Sequence, residues 1–436
     1  MTTLTPRRAP APRRSRTAPA AGPHRASSAR TARLAGWDSP VTSYYLIGGV
    51  AAVLLCLGLV MVLSSSTIDS MARTGSPFTG FLTQLQYAVI GVPLALVAAR
   101  LPVVFFRRTA WFAMMGAAAM QLLVFTPLAV GEGGNNAWVE LAPNVTFQPS
   151  EFAKLGLALW LGAVLAAKRS LLARWGHVIF PALVVSGAVL ALVLVTNDLG
   201  TALVLVALVG GALWVAGVPM RMFAAAGLAV AAVVAFLAAT SPNRVARIMA
   251  LFGSTPLDPQ GLGYQSRLAQ QALGTGGIGG VGLGASREKW WGLPAAHNDF
   301  ILAVIGEELG LLGTLLVLAL FALLAVGVTR IIRRHPDPFV KITTGAIGAW
   351  ILAQALVNIG VVIGVLPVIG IPLPLVSAGG SSLIVTLVAL GILLAFARSE
   401  PGARVALEAR RGTVRRGFAV LTSGMRHTGR ATRASR

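Results

Sequence analysis

The fold is decided by the stretch Ala296-His297-Asn298-Asp299-Phe300-Ile301-Leu302-Ala303-Val304-Ile305-Gly306-Glu307-Glu308-Leu309. It joins a glycine-rich, mostly polar segment, 241–299, to a long apolar run. Asp299 therefore stands where a polar loop enters a membrane helix, and Glu307 and Glu308 lie about 12 Å further along at about 1.5 Å per residue. Acidic side chains at membrane depth are costly, so they indicate a functional site.

The composition is that of a polytopic membrane protein. Of the 436 residues, 56% are apolar and only 11% are charged, whereas soluble domains carry about 25% charged residues. The single cysteine, Cys56, excludes an intrachain disulfide and a metal–thiolate cluster. Its place in the first apolar run is typical of a small apolar side chain that fills space.

The formal net charge of +22 comes largely from the two ends of the chain. Residues 1–40 carry eight arginines and residues 398–436 carry ten, which together are half of the 36 lysines and arginines. Both ends lack apolar periodicity, so 1–40 and 399–436 are predicted to be basic, disordered cytoplasmic tails near anionic membrane lipids. Two roles for these tails remain open: they set only the topology and solubility of the protein, or they also bind a protein partner. Nucleic acid is not expected as a partner of the tails.

Ten apolar runs of about 20 residues predict an all-α polytopic membrane domain over 41–398. The ten predicted transmembrane helices lie at 44–66, 80–99, 109–130, 150–167, 177–195, 199–217, 220–240, 300–328, 342–364 and 377–397. Basic residues follow the even-numbered helices, which places those loops and both termini in the cytoplasm. The large loop 241–299, between helices seven and eight, is then extracellular, and 196–200 forms a tight external turn.

Five acidic residues fall at external helix ends or in the outer half of a span: Glu151, Asp198, Asp299, Glu307 and Glu308. Their clustering predicts one polar cavity that opens to the outside. Two of them also have a structural explanation, because Glu151 can pair with Lys154 at i,i+3 and Asp198 can cap a helix.

Asp299 itself has two interpretations. At the lipid–water boundary, with His297 two residues before it, this carboxylate can act as a general base on a bound sugar. As a residue at the start of a helix, it can instead be an N-cap.

Cations in the large loop indicate an anionic ligand, because guanidinium groups suit bidentate binding of phosphate. The cations are Arg244, Arg247, Arg267, Arg287 and Lys289.

The G-x-G-x-x-G spacing at 274–279 follows no buried strand, which excludes a dinucleotide fold. Its glycines are expected to turn the loop tightly beside a lipid head group. Trp138 either belongs to an interfacial aromatic belt or stacks on a sugar.

Several short motifs stand in order on the predicted external face. They include Gln148-Pro149-Ser150-Glu151-Phe152-Ala153-Lys154, Asp198-Leu199-Gly200-Thr201, Ser241-Pro242-Asn243-Arg244, Gly261-Leu262-Gly263-Tyr264-Gln265, His297-Asn298-Asp299-Phe300, Gly306-Glu307-Glu308-Leu309-Gly310 and Leu373-Pro374-Leu375-Val376-Ser377-Ala378-Gly379-Gly380-Ser381-Ser382. Over residues 40–398 the chain resembles the SEDS polymerases (shape, elongation, division and sporulation). The His-Asn-Asp-Phe form is closer to the division members of actinobacteria than to the elongation members.

The resemblance implies a peptidoglycan glycosyltransferase that polymerises lipid II by inverting transfer, with Asp299 as the catalytic base. It also implies that the substrate is bound by Arg244, Arg247, Gln265, Lys289, His297 and Trp138. The polar wall of the cavity would consist of Glu151, Lys154, Asp198, Glu307, Glu308, Ser377 and Ser381. For Glu307 and Glu308, packing of the eighth span is the alternative.

The partners that the resemblance implies are lipid II, a cognate class B penicillin-binding protein and other division proteins at the septal membrane. No cofactor is required by the sequence. External carboxylates could hold Mg²⁺ or Mn²⁺ through oxygen ligands, although no ligand spacing predicts such a site.

Two other functions are compatible with the sequence. A lipid II flippase or transporter is also polytopic and also carries charges within the membrane, and a scaffold could recruit division proteins through the basic tails. The acids collect on one side instead of lining a path through the midplane, which favours the enzyme over the transporter.

Overall fold

A computed structural model describes residues 39–132, 135–142, 145–239, 245, 249, 264–288 and 297–409. The described part is mostly helical. Its main helices are α1 Thr42–Thr74, α2 Thr79–Arg100, α3 Val103–Leu122, α4 Pro149–Ala167, α5 Trp175–Val195, α6 Leu199–Ala216, α7 Met220–Ala239, α8 Tyr264–Gly276, α9 Ile301–Arg334, α10 Pro338–Val362 and α11 Gly380–Arg398. Helix α5 contains a π-helical turn at Ile179–Leu183. Three short strands, β1 Ala129–Glu132, β2 Asn135–Ala142 and β3 Val145–Phe147, lie between α3 and α4.

Within the described ranges, nine helices are long and apolar enough to cross a membrane, namely α1 to α6 and α9 to α11. The predicted seventh span coincides with α7, but its apolar stretch in the described residues, Met220–Val233, is shorter. The helical membrane fold is therefore confirmed. The count of ten spans, the position of the large loop and the domain boundaries stay predictions.

Three helices form the centre of the bundle. In the apolar windows of α4, α10 and α11, 72%, 67% and 72% of the residues are buried, against 33%, 22% and 28% for α1, α2 and α3. The outer helices expose large apolar side chains such as Val89 and Phe112, as expected of helices that face lipid.

Glycines let neighbouring helices approach closely. Helix α11 packs along α2, and a Cβ at Gly391 would lie 2.3 Å from the carbonyl oxygen of Ala95. Helix α10 packs along α6, and a Cβ at Gly211 would lie 2.3 Å from the Cβ of Ala349. Small residues serve this purpose in membranes because helix association there depends on van der Waals packing.

The third span is displaced from its predicted position, 109–130. Helix α3 covers Val103–Leu122, and a 3-10 turn at Leu123–Phe125 ends at Thr126, whose backbone is extended with φ −100° and ψ 167°. The cause is Pro127, because the residue before a proline avoids the helical region.

The region after this turn is a small antiparallel sheet in the order β1-β2-β3, where the sequence predicts a loop over 131–149. Val130 lies opposite Trp138, and Val139 lies opposite Phe147. The strands are three to eight residues long. Alternation over such short runs does not stand out beside an apolar span.

Helix α9 is broken at Gly310, whose backbone has φ 69° and ψ −162°, a region that essentially only glycine occupies. The backbone groups released by the break are bound by the segment that follows α8. The Leu311 N–H donates to the carbonyl of Gly277 at 2.9 Å, and the Val281 N–H donates to the carbonyl of Glu307 at 2.9 Å. A broken membrane helix requires such substitutes, since lipid offers no hydrogen bonds.

The glycines of the 274–284 segment are explained by this contact. A Cβ at Gly276 would lie 1.9 Å from the carbonyl oxygen of Gly306, and one at Gly280 would lie 2.1 Å from that of Glu308. The tight turns expected here are confirmed by positive φ values, including 79° at Gly280. Gly276 and Gly280 pack against α9, and the expectation that this segment lies beside a lipid head group stays a prediction.

Candidate active site

Asp299 lies immediately before Phe300, which is the N-cap of α9 and makes no side-chain cap hydrogen bond. The N-cap interpretation of Asp299 is therefore wrong. Its backbone carbonyl accepts a hydrogen bond from Nδ2 of Asn358 at 2.8 Å. Its carboxylate faces Gly370, where a Cβ would lie 3.7 Å from Oδ2 of Asp299. Asp299 as a whole is half-buried, so the residue lies at the surface of the bundle's end and is not sealed in its core.

The segment between α10 and α11, 363–379, holds the residues that precede α9. The hydroxyl of Ser377 donates to the carbonyl of Asn298 at 2.6 Å, and the Ala378 N–H donates to the carbonyl of His297 at 2.9 Å. Of the predicted site residues, His297, Asp299 and Ser377 are thus brought together.

A buried ion pair lies beneath the same segment. Nζ of Lys154 is 2.8 Å from Oε1 of Glu151 and donates to Oε1 of Gln354 at 3.1 Å. The ammonium group also lies 4.9 Å from the ring centroid of Trp350. Nε2 of Gln354 donates to the carbonyl of Pro372 at 3.0 Å. The predicted pairing of Glu151 with Lys154 is confirmed, and Gln354 connects it to the segment 363–379.

Asp198 has the capping role that its position predicts. Its Oδ1 accepts from the Thr201 N–H at 2.9 Å, and its Oδ2 accepts from Nε2 of Gln148 at 2.7 Å. The Gln148 N–H in turn donates to the hydroxyl of Ser381 at 3.1 Å. Asp198 and Ser381 are therefore linked through Gln148 at the start of α4, and the predicted tight turn between α5 and α6 is confirmed.

Glu307 and Glu308 hold α9 to its neighbours. Glu307 accepts from the hydroxyl of Ser286 at 2.5 Å and from the Arg287 N–H at 2.8 Å. Both carboxylate oxygens of Glu308 accept from the hydroxyl of Ser64 in α1, at 2.7 and 2.8 Å. Both glutamates are fully buried. These contacts match the packing alternative for the two residues.

The pKa of Glu288, in the loop that follows α8, is affected by its burial and by the nearby Glu307. Burial raises the pKa of the Glu288 carboxyl, and the negative charge of Glu307 raises the pKa further. Protonation of Glu288 is therefore easier in the folded protein than in a free glutamate.

The other predicted substrate-binding residues are not joined to this network by the hydrogen bonds described above. Trp138 lies on β2 and Gln265 lies in the first turn of α8, and both are half-buried. Arg244, Arg247 and Lys289 lie outside the described residues, so their assignment stays a prediction.

Sequence reasoning missed three amides that organise the site. Asn358 and Gln354 are buried on one face of α10. Gln84 of α2 donates to the carbonyl of Ser377 at 3.2 Å and accepts from the Gly379 N–H at 3.1 Å. A signal was available, because amide side chains inside an apolar span typically hydrogen-bond across helices.

No group of three or more histidine, cysteine, aspartate or glutamate side chains in the described ranges is placed to hold a metal ion. The possibility of Mg²⁺ or Mn²⁺ therefore rests on the sequence alone.

The described residues place the half-buried Asp299 next to a buried polar network. Such a carboxylate can accept a proton from a hydroxyl group.

A family model and two related proteins all connect this chain to the same family. Residues 44–401 match the family model FtsW/RodA/SpoVE, described as cell cycle protein. A protein of Mycobacterium tuberculosis named "Probable peptidoglycan glycosyltransferase FtsW" is 40% identical over 397 residues, which cover 89% of this chain and 75% of that protein. A protein of the same name from Halorhodospira halophila is 38% identical over 370 residues, covering 84% and 92%.

Solved structures show the same fold. A chain from a structure described as "Structural coordination of polymerization and crosslinking by a peptidoglycan synthase complex" matches with TM-score 0.67 and 29% identity, covering 81% of this chain and 96% of that one. Rod shape determining protein RodA of Thermus thermophilus matches with TM-score 0.60 and 26% identity, covering 82% and 97%. This multi-pass membrane protein belongs to the FtsW/RodA/SpoVE family of cell cycle proteins, the SEDS family that its motifs resemble.

Proposed function

We propose that this protein is a peptidoglycan glycosyltransferase that polymerises lipid II into glycan strands during cell division. The observation that carries the proposal is the position of Asp299, half-buried before α9 and held through its backbone by Asn358 of α10. The names of the relatives from Mycobacterium tuberculosis and Halorhodospira halophila support the same activity.

In the proposed reaction, Asp299 removes the proton from the 4-hydroxyl of the N-acetylglucosamine of an incoming lipid II. The hydroxyl oxygen forms a bond to the anomeric carbon of the growing strand, with inversion, while the bond to undecaprenyl pyrophosphate breaks and the pyrophosphate leaves with the electron pair. General-base catalysis of this kind contributes about 10²- to 10⁴-fold to the rate. Arg244, Arg247 and Lys289 are proposed to stabilise the departing pyrophosphate.

The polar network supports the base without touching the substrate. A buried cluster of hydrogen-bonded side chains contacts the segment 363–379 and consists of Glu151, Lys154 and Gln354. This buried cluster keeps Asp299 and Ser377 in place while substrate enters, because buried polar groups move only when their hydrogen bonds break.

The remaining assignments belong to the same proposal. The protein would lie at the division septum with both termini in the cytoplasm and Asp299 outside, and it would act with a cognate class B penicillin-binding protein. The synthase complex that contains the similar solved chain supports such a partner.

The test uses the purified full-length protein with its partner and lipid II. Asp299→Asn keeps the size of the side chain but removes the base, so glycan synthesis is expected to fall by at least about 100-fold with an unchanged unfolding temperature. Glu408→Gln, which changes an exposed acid at the opposite end of the bundle, is the control and should polymerise normally. Each protein is assayed with and without Mg²⁺ or Mn²⁺.

Undiminished polymer from Asp299→Asn would remove the proposed base. Translocation of lipid II in vesicles without any polymer from the parent protein would instead identify a flippase.

A further inference from the structure

A cavity of about 560 Å³ lies at the end of the bundle opposite to Asp299. It is bounded by the start of α1, the end of α2, the end of α11 and the helical residues 403–409. The positive-inside rule places this end at the cytoplasmic face of the membrane. The proposed glycosyl transfer uses none of the residues that line it.

The polar side of the cavity is strongly basic. Among the residues that the structure describes, its lining holds Arg100, Arg398 and Arg404 together with one acid, Glu408. Glu408 lies four residues after Arg404 on the same helical segment and offsets one of these positive charges, so the lining keeps an excess of positive charge. Guanidinium groups bind phosphate oxygens through pairs of N–H donors.

One of these arginines is held in place. Nη2 of Arg398 donates to the carbonyl of Arg100 at 2.6 Å, and that carbonyl belongs to the C-terminal turn of α2. Capping of α2 accounts for Arg398 and for the position of Arg100 at a helix C-terminus. It does not account for Arg404, which comes from beyond α11 and lines the same cavity.

The other side of the cavity is apolar and continues onto the surface that faces lipid. Leu96 lines the cavity and is 50% exposed, and its neighbour Val97 is 54% exposed. Tyr45, also in the lining, is 48% exposed, and tyrosine is typical of the membrane interface. A ligand that fills the cavity therefore meets cations at one end and hydrocarbon at the other.

We propose that this cavity binds the phosphate group of an anionic phospholipid of the cytoplasmic leaflet, with an acyl chain against Leu96. A soluble phosphate would use only the arginines and would leave the apolar wall without a partner. Basic cavities between helix ends on the cytoplasmic side are suited to lipid head groups. This site is independent of the proposed glycosyltransferase activity.

The test compares the full-length parent with Arg100→Gln/Arg404→Gln, while Arg398 is kept because it caps α2. The control is Arg169→Gln/Arg333→Gln, which removes two exposed charges from the same end outside the cavity. Residues 1–40 and 405–436 are the same in all three proteins, so lipid attracted by these basic ends affects the three equally. Binding of phosphatidylglycerol, phosphatidylcholine and inorganic phosphate is measured by native mass spectrometry in detergent.

The parent and the control are expected to bind phosphatidylglycerol in preference to phosphatidylcholine. The cavity variant should bind phosphatidylglycerol at least about tenfold more weakly. Arg404→Gln alone, at an exposed position, should show part of the loss if the double variant folds poorly. Equal affinity of the cavity and control variants, or equal binding of phosphatidylcholine by the parent, would overturn the proposal. Displacement of the lipid by inorganic phosphate at matched concentration would overturn the assignment to a lipid.

Discussion

Asn358 donates a hydrogen bond from its side-chain amide to the backbone carbonyl of Asp299 at 2.8 Å. The same nitrogen donates to the carbonyl of Ile371 at 2.8 Å. One buried side chain of α10 therefore holds the chain before α9 to the segment 363–379. The position of the proposed base is set by a residue from another helix.

Replacing Asn358 should misplace Asp299 without unfolding the protein. Asn358→Leu leaves two carbonyls without this donor, which is expected to lower the free energy of unfolding by about 1–3 kcal/mol. Glycan synthesis should fall by at least about tenfold, because small misplacements of a reacting group are costly. The measurements are the rate of polymer formation and the unfolding temperature. Leu356→Ala, at a 67% exposed position of α10, is the control, and an Asn358→Leu rate equal to this control would contradict the positioning role.

The buried pair of Lys154 and Glu151 should show strong coupling. Lys154→Met leaves an uncompensated buried carboxylate and is expected to lower the free energy of unfolding by about 3–5 kcal/mol. The double variant Lys154→Met/Glu151→Leu removes both charges and should recover much of that loss. Chemical unfolding in detergent of the parent, Lys154→Met, Glu151→Leu and the double variant gives the coupling energy as a double-mutant cycle. Strictly additive losses would show that the two side chains do not interact energetically.

The break in α9 should tolerate no side chain at Gly310. In Gly310→Ala the new Cβ would lie 2.4 Å from the backbone nitrogen of Gly280, and the backbone conformation itself disfavours alanine by about 1–3 kcal/mol. We expect a lower unfolding temperature and weaker glycan synthesis. The control is Gly116→Ala inside α3, where a Cβ meets no atom within 4 Å and a gain of about 0.5–1 kcal/mol is expected. Equal stability of the two variants would contradict a required break.

Glu288 should make the stability depend on pH. Its pKa in the folded protein is raised from 4.5, first by burial and then by Glu307. The folded state therefore binds this proton more tightly than the unfolded state, which stabilises the fold below pH 4.5 and no longer does so once the pH has risen through the folded pKa. Glu288→Gln imitates the protonated form, so it should unfold at a higher temperature than the parent at pH 7. The difference should disappear below pH 4.5, and a difference that instead grows as the pH falls would contradict this explanation.

The parts of the fold that the sequence predicts well depend on local properties. Nine of the predicted spans have counterparts that are long and apolar enough to cross a membrane in the described part of the chain. The pairing of Glu151 with Lys154 and the cap of Asp198 were also predictable, because the partners are three residues apart. The strands of the small sheet were not predicted, since runs of three to eight residues carry little periodic signal.

Hydropathy and charge order along the chain were enough to establish a helical membrane protein with a carboxylate, Asp299, where a polar segment enters a helix. Only the tertiary structure decided which polar groups meet. Asn358 and Asp299 are 59 positions apart, and Lys154 and Gln354 are 200 apart. No local pattern encodes such pairs, because they form only when packed helices bring their buried amides and charges into hydrogen-bonding distance.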